Sequence, residues 1–72
     1  MLTELKNGAE LLECVKVADG YIVLAVLKDG VYVTWRSDDQ GNCFWGRYFS
    51  GRNAELNARE NFATRCTAAI RD

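Results

Sequence analysis

Four stretches of the chain are dominated by β-branched and aromatic residues: 11–18 (LLECVKVA), 21–28 (YIVLAVLK), 31–36 (VYVTWR) and 43–49 (CFWGRYF). Residues of this kind fit a pleated, half-buried surface, and the pattern predicts four strands. The breaks between them are Asp19-Gly20, Asp29-Gly30 and the polar run Ser37–Asn42. Asp-Gly between apolar runs predicts a two-residue hairpin loop, because a type I′ turn needs positive φ at both central residues. From Asn53 the period changes. NAELNARENFATRCTAAIR is rich in Ala, Glu and Arg and sets Leu56, Phe62, Ala63, Cys66 and Ile70 along one stripe at helical spacing. Asn53, after Ser50-Gly51, is placed to cap that helix.

The order β-β-β-β-α predicts an α+β fold, a four-stranded antiparallel meander followed by one C-terminal helix packed on one sheet face. One domain covers residues 1–72, with 1–10 as a flexible lead-in, 11–49 as the meander and 53–71 as the helix. Two-residue loops also predict a register: Val17 opposite Ile22, Val15 opposite Leu24, Val26 opposite Val33 and Leu24 opposite Trp35. One face then collects Val15, Val17, Ile22, Leu24, Val26, Val31, Val33 and Trp35, and the helix should lie there. Pairing Arg36 with Cys43 adds Phe44 and Tyr48 to that face, with Gly46 leaving room for the helix or Trp35. A one-residue slip would carry Arg47 under the helix, where an unpaired charge is costly. The opposite face is expected to carry Lys16, Tyr21, Val23, Ala25, Leu27, Tyr32, Thr34, Arg36, Cys43, Trp45, Arg47 and Phe49.

That second face is too apolar to be left wholly in water, and two readings of it stay open. Exposed Tyr32, Trp45 and Phe49 could stack nucleic-acid bases while Lys16, Arg36 and Arg47 hold phosphates. Tyr, Trp and Arg are equally the residue types enriched where proteins associate. Length favours association, since a chain of 72 residues buries little surface and small scaffolds usually need a staple. Three cysteines, Cys14, Cys43 and Cys66, and no His offer neither a disulfide framework nor a zinc site, so a homo-oligomer is expected.

Charge adds one asymmetry. The net charge is −1, yet residues 1–35 hold three Lys against five acids and residues 36–71 hold six Arg against four. The helix arginines Arg52, Arg59, Arg65 and Arg71 could form a basic rail, although Glu55 and Arg59 stand at i,i+4 and would pair with each other. Without His no Ser/His or Cys/His nucleophile system exists. Cys43 is expected as a buried or interface thiol. Of the acids, Asp19 and Asp29 are the weak catalytic candidates, each already explained by a turn, as Asp38 and Asp39 are by a polar loop. No apolar run approaches the ~20 residues of a membrane span, and the N-terminal MLTELKNGAELLE lacks the basic and apolar regions of a secretory signal. With unpaired thiols, a cytoplasmic setting is expected.

The run Tyr32-Val33-Thr34-Trp35, the loop residues Asp38, Gly41 and Asn42, and Phe44-Trp45-Gly46-Arg47-Tyr48-Phe49 resemble a pattern found in short proteins of phages and mobile elements of gut Clostridia. There, "YVTW…DGNxYWGHYF" precedes an acidic helix. The likeness covers roughly residues 14–65. It departs at Arg47, where His is expected, and in a helix with fewer acids, so no role of that His transfers. The strand order resembles the single-stranded-DNA-binding fold of transcriptional positive cofactor four, and a small anti-CRISPR family from gut metagenomes is similar to both. The resemblance implies an oligomer in the bacterial host cytoplasm that counters a type II CRISPR nuclease indirectly, by nicking or relaxing supercoiled DNA. The arginine-bearing sheet face or a groove between copies would touch the DNA, through Arg36, Arg47, Trp45, Tyr32 and Lys16. No cofactor is expected beyond a divalent metal if strands are cut, and no small-molecule substrate or membrane partner. The alternative is a non-enzymatic oligomeric interaction module without affinity for nucleic acid.

Overall fold

The computed structural model describes residues 2–71. Strands β1 (Glu10–Val17), β2 (Gly20–Val26), β3 (Tyr32–Ser37) and β4 (Cys43–Phe49) form one antiparallel sheet in the order β1-β2-β3-β4, and helix α1 (Ala54–Arg71) follows. The α+β meander with one C-terminal helix is therefore the fold. Asn53 stands at the cap position, its carbonyl accepting from Asn57 N at 2.9 Å. Among the described residues no helix is long and apolar enough to cross a membrane.

The registers differ from the expected ones, for physical reasons. The first turn is Ala18-Asp19, with Val17 opposite Gly20 and Val15 opposite Ile22. That is a shift of two, so Val15, Val17, Ile22 and Leu24 keep their shared face. The second loop holds three residues, Lys28-Asp29-Gly30. It is closed by Gly30 N to Leu27 O and Leu27 N to Val31 O, each 2.9 Å, and Gly30 takes φ +83°. A turn followed by a left-handed Gly is the usual three-residue hairpin. The extra residue moves the β2–β3 register by one, setting Leu24 opposite Thr34 and Val23 opposite Trp35. Every β3 side chain consequently changes face: Val33 and Trp35 leave the helix side, while Tyr32, Thr34 and Arg36 join it.

The third pairing is also corrected. Cys43 faces Ser37 and Phe44 faces Arg36, then the register breaks at Trp35, and beyond it Arg47 faces Thr34 and Tyr48 faces Val33. Phe44 is thus on the helix side as expected, but Tyr48 is not. Arg47 does lie on the helix side, yet it is exposed, because β4 is an edge strand and its outer flank faces solvent. No buried charge results. Gly46 makes room for Trp35, as one of the two expectations had it: a Cβ there would stand 2.9 Å from the indole Cδ1.

Both faces of β2 are buried. On one side Val17, Ile22, Leu24 and Thr34 of the sheet are buried, as are Ala54 and Ala58 of the helix that covers it. The stripe that α1 turns inward is Ala54, Ala58, Asn61, Phe62, Arg65, Cys66 and Ala69, so only Phe62 and Cys66 of the expected stripe belong to it. Leu56 and Ile70 point to solvent, 58% and 73% exposed, and Ala63 is exposed with them. Alanines let the helix come close, and Thr34 Oγ1 reaches Asn61 Oδ1 at 2.5 Å, so the buried hydroxyl has a partner. At the β1 side Arg59 bonds Glu55 at 3.0 Å, the expected i,i+4 pair, and also Glu13 at 3.4 Å. The side chain of Arg71, the last arginine of the expected rail, lies outside the described residues.

On the other side, residues 2–9 cross the sheet. Leu2 and Leu5 are 7% and 5% exposed and join Tyr21, Val23, Ala25, Val33 and Trp35 in one core cluster. Lys6 N donates to Gly41 O at 3.2 Å, tying this strap to the β3–β4 loop. The face expected to carry cations and rings is thus mainly a second core. Substituting Leu5→Ala should destabilise the chain by about 2 kcal/mol or more, as for other buried leucines. Leu56→Ala should change it by less than about 0.5 kcal/mol. Urea unfolding midpoints of the two variants check the assignment, and equal effects would contradict it.

Candidate nucleic-acid interface

Trp45 is where the local structure departs furthest from ideal. It is the extra residue of the break opposite Trp35, a β-bulge, and adopts φ +54°. A bulky non-Gly residue in the left-handed region is an outlier held by its surroundings. The holding contact is visible: Arg65 Nη2 donates to Trp45 O at 2.6 Å from the helix. The indole itself is 75% exposed. It leans towards Phe44, with ring centroids 6.5 Å apart.

Two concave sites of about 300 Å³ each adjoin the indole and share Trp45 and Arg36. One is completed by Ile22, Arg65, Ala68 and Ala69, apolar walls with a second guanidinium; the other by Asp19, Ser37, Asp38 and Phe44. Arg36 Nη2 is paired with the Asp19 carboxylate. Burial, and secondarily the neighbouring Arg47 charge, pushes Arg65 below the ordinary arginine value; the guanidinium nevertheless stays cationic at any ordinary pH. Arg36, Arg47 and Arg65 therefore gather positive charge around exposed rings on the helix side of the sheet, along its β4 edge.

The loop beneath this ledge is stiffened by Asp38, which accepts from Gln40 N at 2.9 Å, Asn42 N at 3.0 Å and Asn42 Nδ2 at 2.8 Å. The side-chain bond from Asn42 is the main reason its carboxyl sits below the usual carboxylate range. Cys43 lies at the loop's end with its thiol pushed up, first by burial and then by Asp38, as a half-buried thiol of low reactivity should be. Burial likewise raises Cys14 and Cys66.

Of the residues expected to touch DNA, Arg36 and Trp45 line the same two concave sites and Arg47 follows on β4. Tyr32 lies on the same face but at the other end of the strand, opposite Phe49, its hydroxyl 3.4 Å from Glu55 Oε1. Lys16 is on the opposite face, its Nζ 4.9 Å from the Tyr21 ring centroid. Asp19 borders the ledge, whereas Asp29 sits in the β2–β3 loop at the far end of the sheet, its Oδ1 capping Val31 N at 3.3 Å. Among the described residues no three His, Cys, Asp or Glu side chains converge as a metal site. Arg65 was missed as part of the site. The signal for it was present, since Ala54, Ala58, Asn61 and Arg65 follow the i, i+4, i+7, i+11 spacing of one helix face.

Trp45→Gly should leave the chain no less stable than it is, with a gain of up to about 1 kcal/mol, because Gly adopts positive φ freely. A loss above about 1 kcal/mol in denaturant unfolding would show the indole to be a packing element instead. Asp38 sets an acid limit: its folded carboxyl titrates lower than the unfolded one. Its contribution is complete above the ordinary carboxylate range and declines as pH falls through about 4 towards the lowered value. Asp38→Asn should flatten that limb of the stability–pH curve, and an unchanged acid limb would remove Asp38 from the account. No family model, curated protein or solved structure matches the chain.

Proposed function

We propose that the protein binds single-stranded or locally unpaired nucleic acid along the β4 edge, with Trp45 as the stacking platform and Arg36, Arg47 and Arg65 as phosphate contacts. The observation that carries the reading is the exposed indole held at φ +54° by a bulge and by the Arg65 contact. Folding tolerates such a conformation at a cost, and outliers of this sort cluster at functional sites. Rings interleaved with guanidiniums are the chemistry of sequence-tolerant single-strand binding. A net charge of −1 fits a local site better than a general polyanion surface. In the setting that the phage and mobile-element resemblance implies, an accessory protein against a type II CRISPR nuclease, such binding would act through the supercoiled DNA rather than on the nuclease. Strand cutting has less support, because Asp19 is engaged by Arg36 and Asp29 lies far from the ledge.

A second reading is a non-enzymatic, self-associating interaction module. It is favoured by Leu56, Ala63 and Ile70, exposed on the helix at seven-residue spacing. The two readings separate on one set of measurements. A labelled thymidine oligonucleotide should bind, and Trp45→Ala should weaken it by roughly 1–3 kcal/mol, the worth of one base stack. Arg47→Gln should make the dependence of log K on log salt shallower by about 0.7. Lys16→Gln, on the other face, should change neither. Absence of binding at micromolar protein, together with unchanged topology of a supercoiled plasmid with and without divalent metal, would end the nucleic-acid reading and leave the interaction module.

A further inference from the structure

Four aspartates, Asp19, Asp29, Asp38 and Asp39, sit at turns of this sheet, and two of them bond the backbone of their own loops. Asp29 caps Val31 N, and Asp38 holds Gln40 and Asn42. Asp19 differs. Among the described residues its carboxylate partner is Arg36, 17 residues away on β3. The pair is unequal: the Asp19 side chain is 73% exposed and the Arg36 side chain 26%. The guanidinium is thus fixed in the wall between the two concave sites, while the carboxylate reaches it from solvent. Arg36 also lines both concave sites with Trp45, and Arg65 completes one of them.

A phosphate diester and a carboxylate ask the same thing of a guanidinium, a fork of parallel N–H donors carrying positive charge. Both cannot hold that fork fully. We infer that Asp19 is a built-in competitor for the backbone phosphate at Arg36, occupying the anion position until a strand stacked on Trp45 displaces it. This deepens the ledge reading and rests on it. The cost falls on every anion, and only stacking offsets it. A free phosphate ion, with no base to stack, must displace Asp19 unaided, whereas a nucleotide strand adds the indole contact. Asp19 therefore lowers affinity for all anions and leaves the stacked ligand ahead. The turn itself does not need a carboxylate, since Asn serves the same turn positions.

The test is Asp19→Asn beside Asp29→Asn, which removes the same charge at the far end of the sheet and keeps a side-chain oxygen for Val31 N. Binding of a thymidine oligonucleotide and of inorganic phosphate is measured for each across a salt series. Asp19→Asn should bind the oligonucleotide roughly two- to fivefold tighter, the range of an exposed ion pair, with a salt slope steeper by up to about 0.7. Inorganic phosphate should gain by a similar factor from a much weaker starting point. Asp29→Asn should leave both unchanged, and adding Arg36→Gln to Asp19→Asn should abolish the gain. Equal tightening by both Asn variants would reduce the effect to net charge and overturn the proposal. So would wild-type affinity in Asp19→Asn while Trp45→Ala still weakens binding, which leaves the ledge reading standing. Absence of binding in wild type and Asp19→Asn alike would remove both.

Discussion

The loop between β2 and β3 fixes more of this molecule than any other feature. Side chains alternate along a strand, so the parity of a hairpin loop decides which face the second strand shows to its neighbour. Three loop residues, with Gly30 in the left-handed conformation, put Val33 and Trp35 under the N-terminal strap and Tyr32, Thr34 and Arg36 under or beside the helix. A two-residue loop would bury Arg36 against Leu2 and Leu5 and turn Trp35 towards the helix. The chain avoids this because Arg36 can then reach Asp19 at the sheet end, and Thr34 can meet Asn61 in the helix interface.

The bulge at Trp45 performs a second reversal on the edge strand. Before it, Phe44 shares the helix side with Arg36; after it, Tyr48 shares the strap side with Trp35, which it meets edge-on at 6.0 Å. One inserted residue therefore serves both layers. It lets a ring from β4 pack on the strap-side core while Arg47 emerges on the helix side at the open edge. The inserted residue itself stands outside the alternation and projects at the edge, beside the helix-side residues Ile22, Arg65, Ala68 and Ala69. Bulges also blunt sheet edges against pairing with other chains, and here the projecting residue is a tryptophan beside three arginines.

The helix contributes through its small residues. Ala54 and Ala58 bring its axis close to β2, and the last turns carry Arg65, Ala68 and Ala69 over the sheet end, where they form one wall of the ledge. The long apolar side chains that the periodicity suggested for the interface, Leu56 and Ile70, are the ones left in water. Packing selected for closeness over bulk, because β2 already fills the space beneath with Ile22 and Leu24.

Composition and periodicity alone determined the strand count, their antiparallel order, the helix and its cap, and the absence of a His-based nucleophile, for these depend on local preference and on spacing along the chain. Arg47 and Trp45 were legible as exposed and Arg36 as a cation among rings, because charged and ring-bearing side chains cannot all be buried in 72 residues. Their shared surface was not legible. It depended on whether the loop after Leu27 held two residues or three, on an irregularity opposite Trp35, and on residues 2–9 covering the face that local pattern left open. Each is a contest between alternatives of similar local energy, settled only when both sides of β2 had to be covered at once.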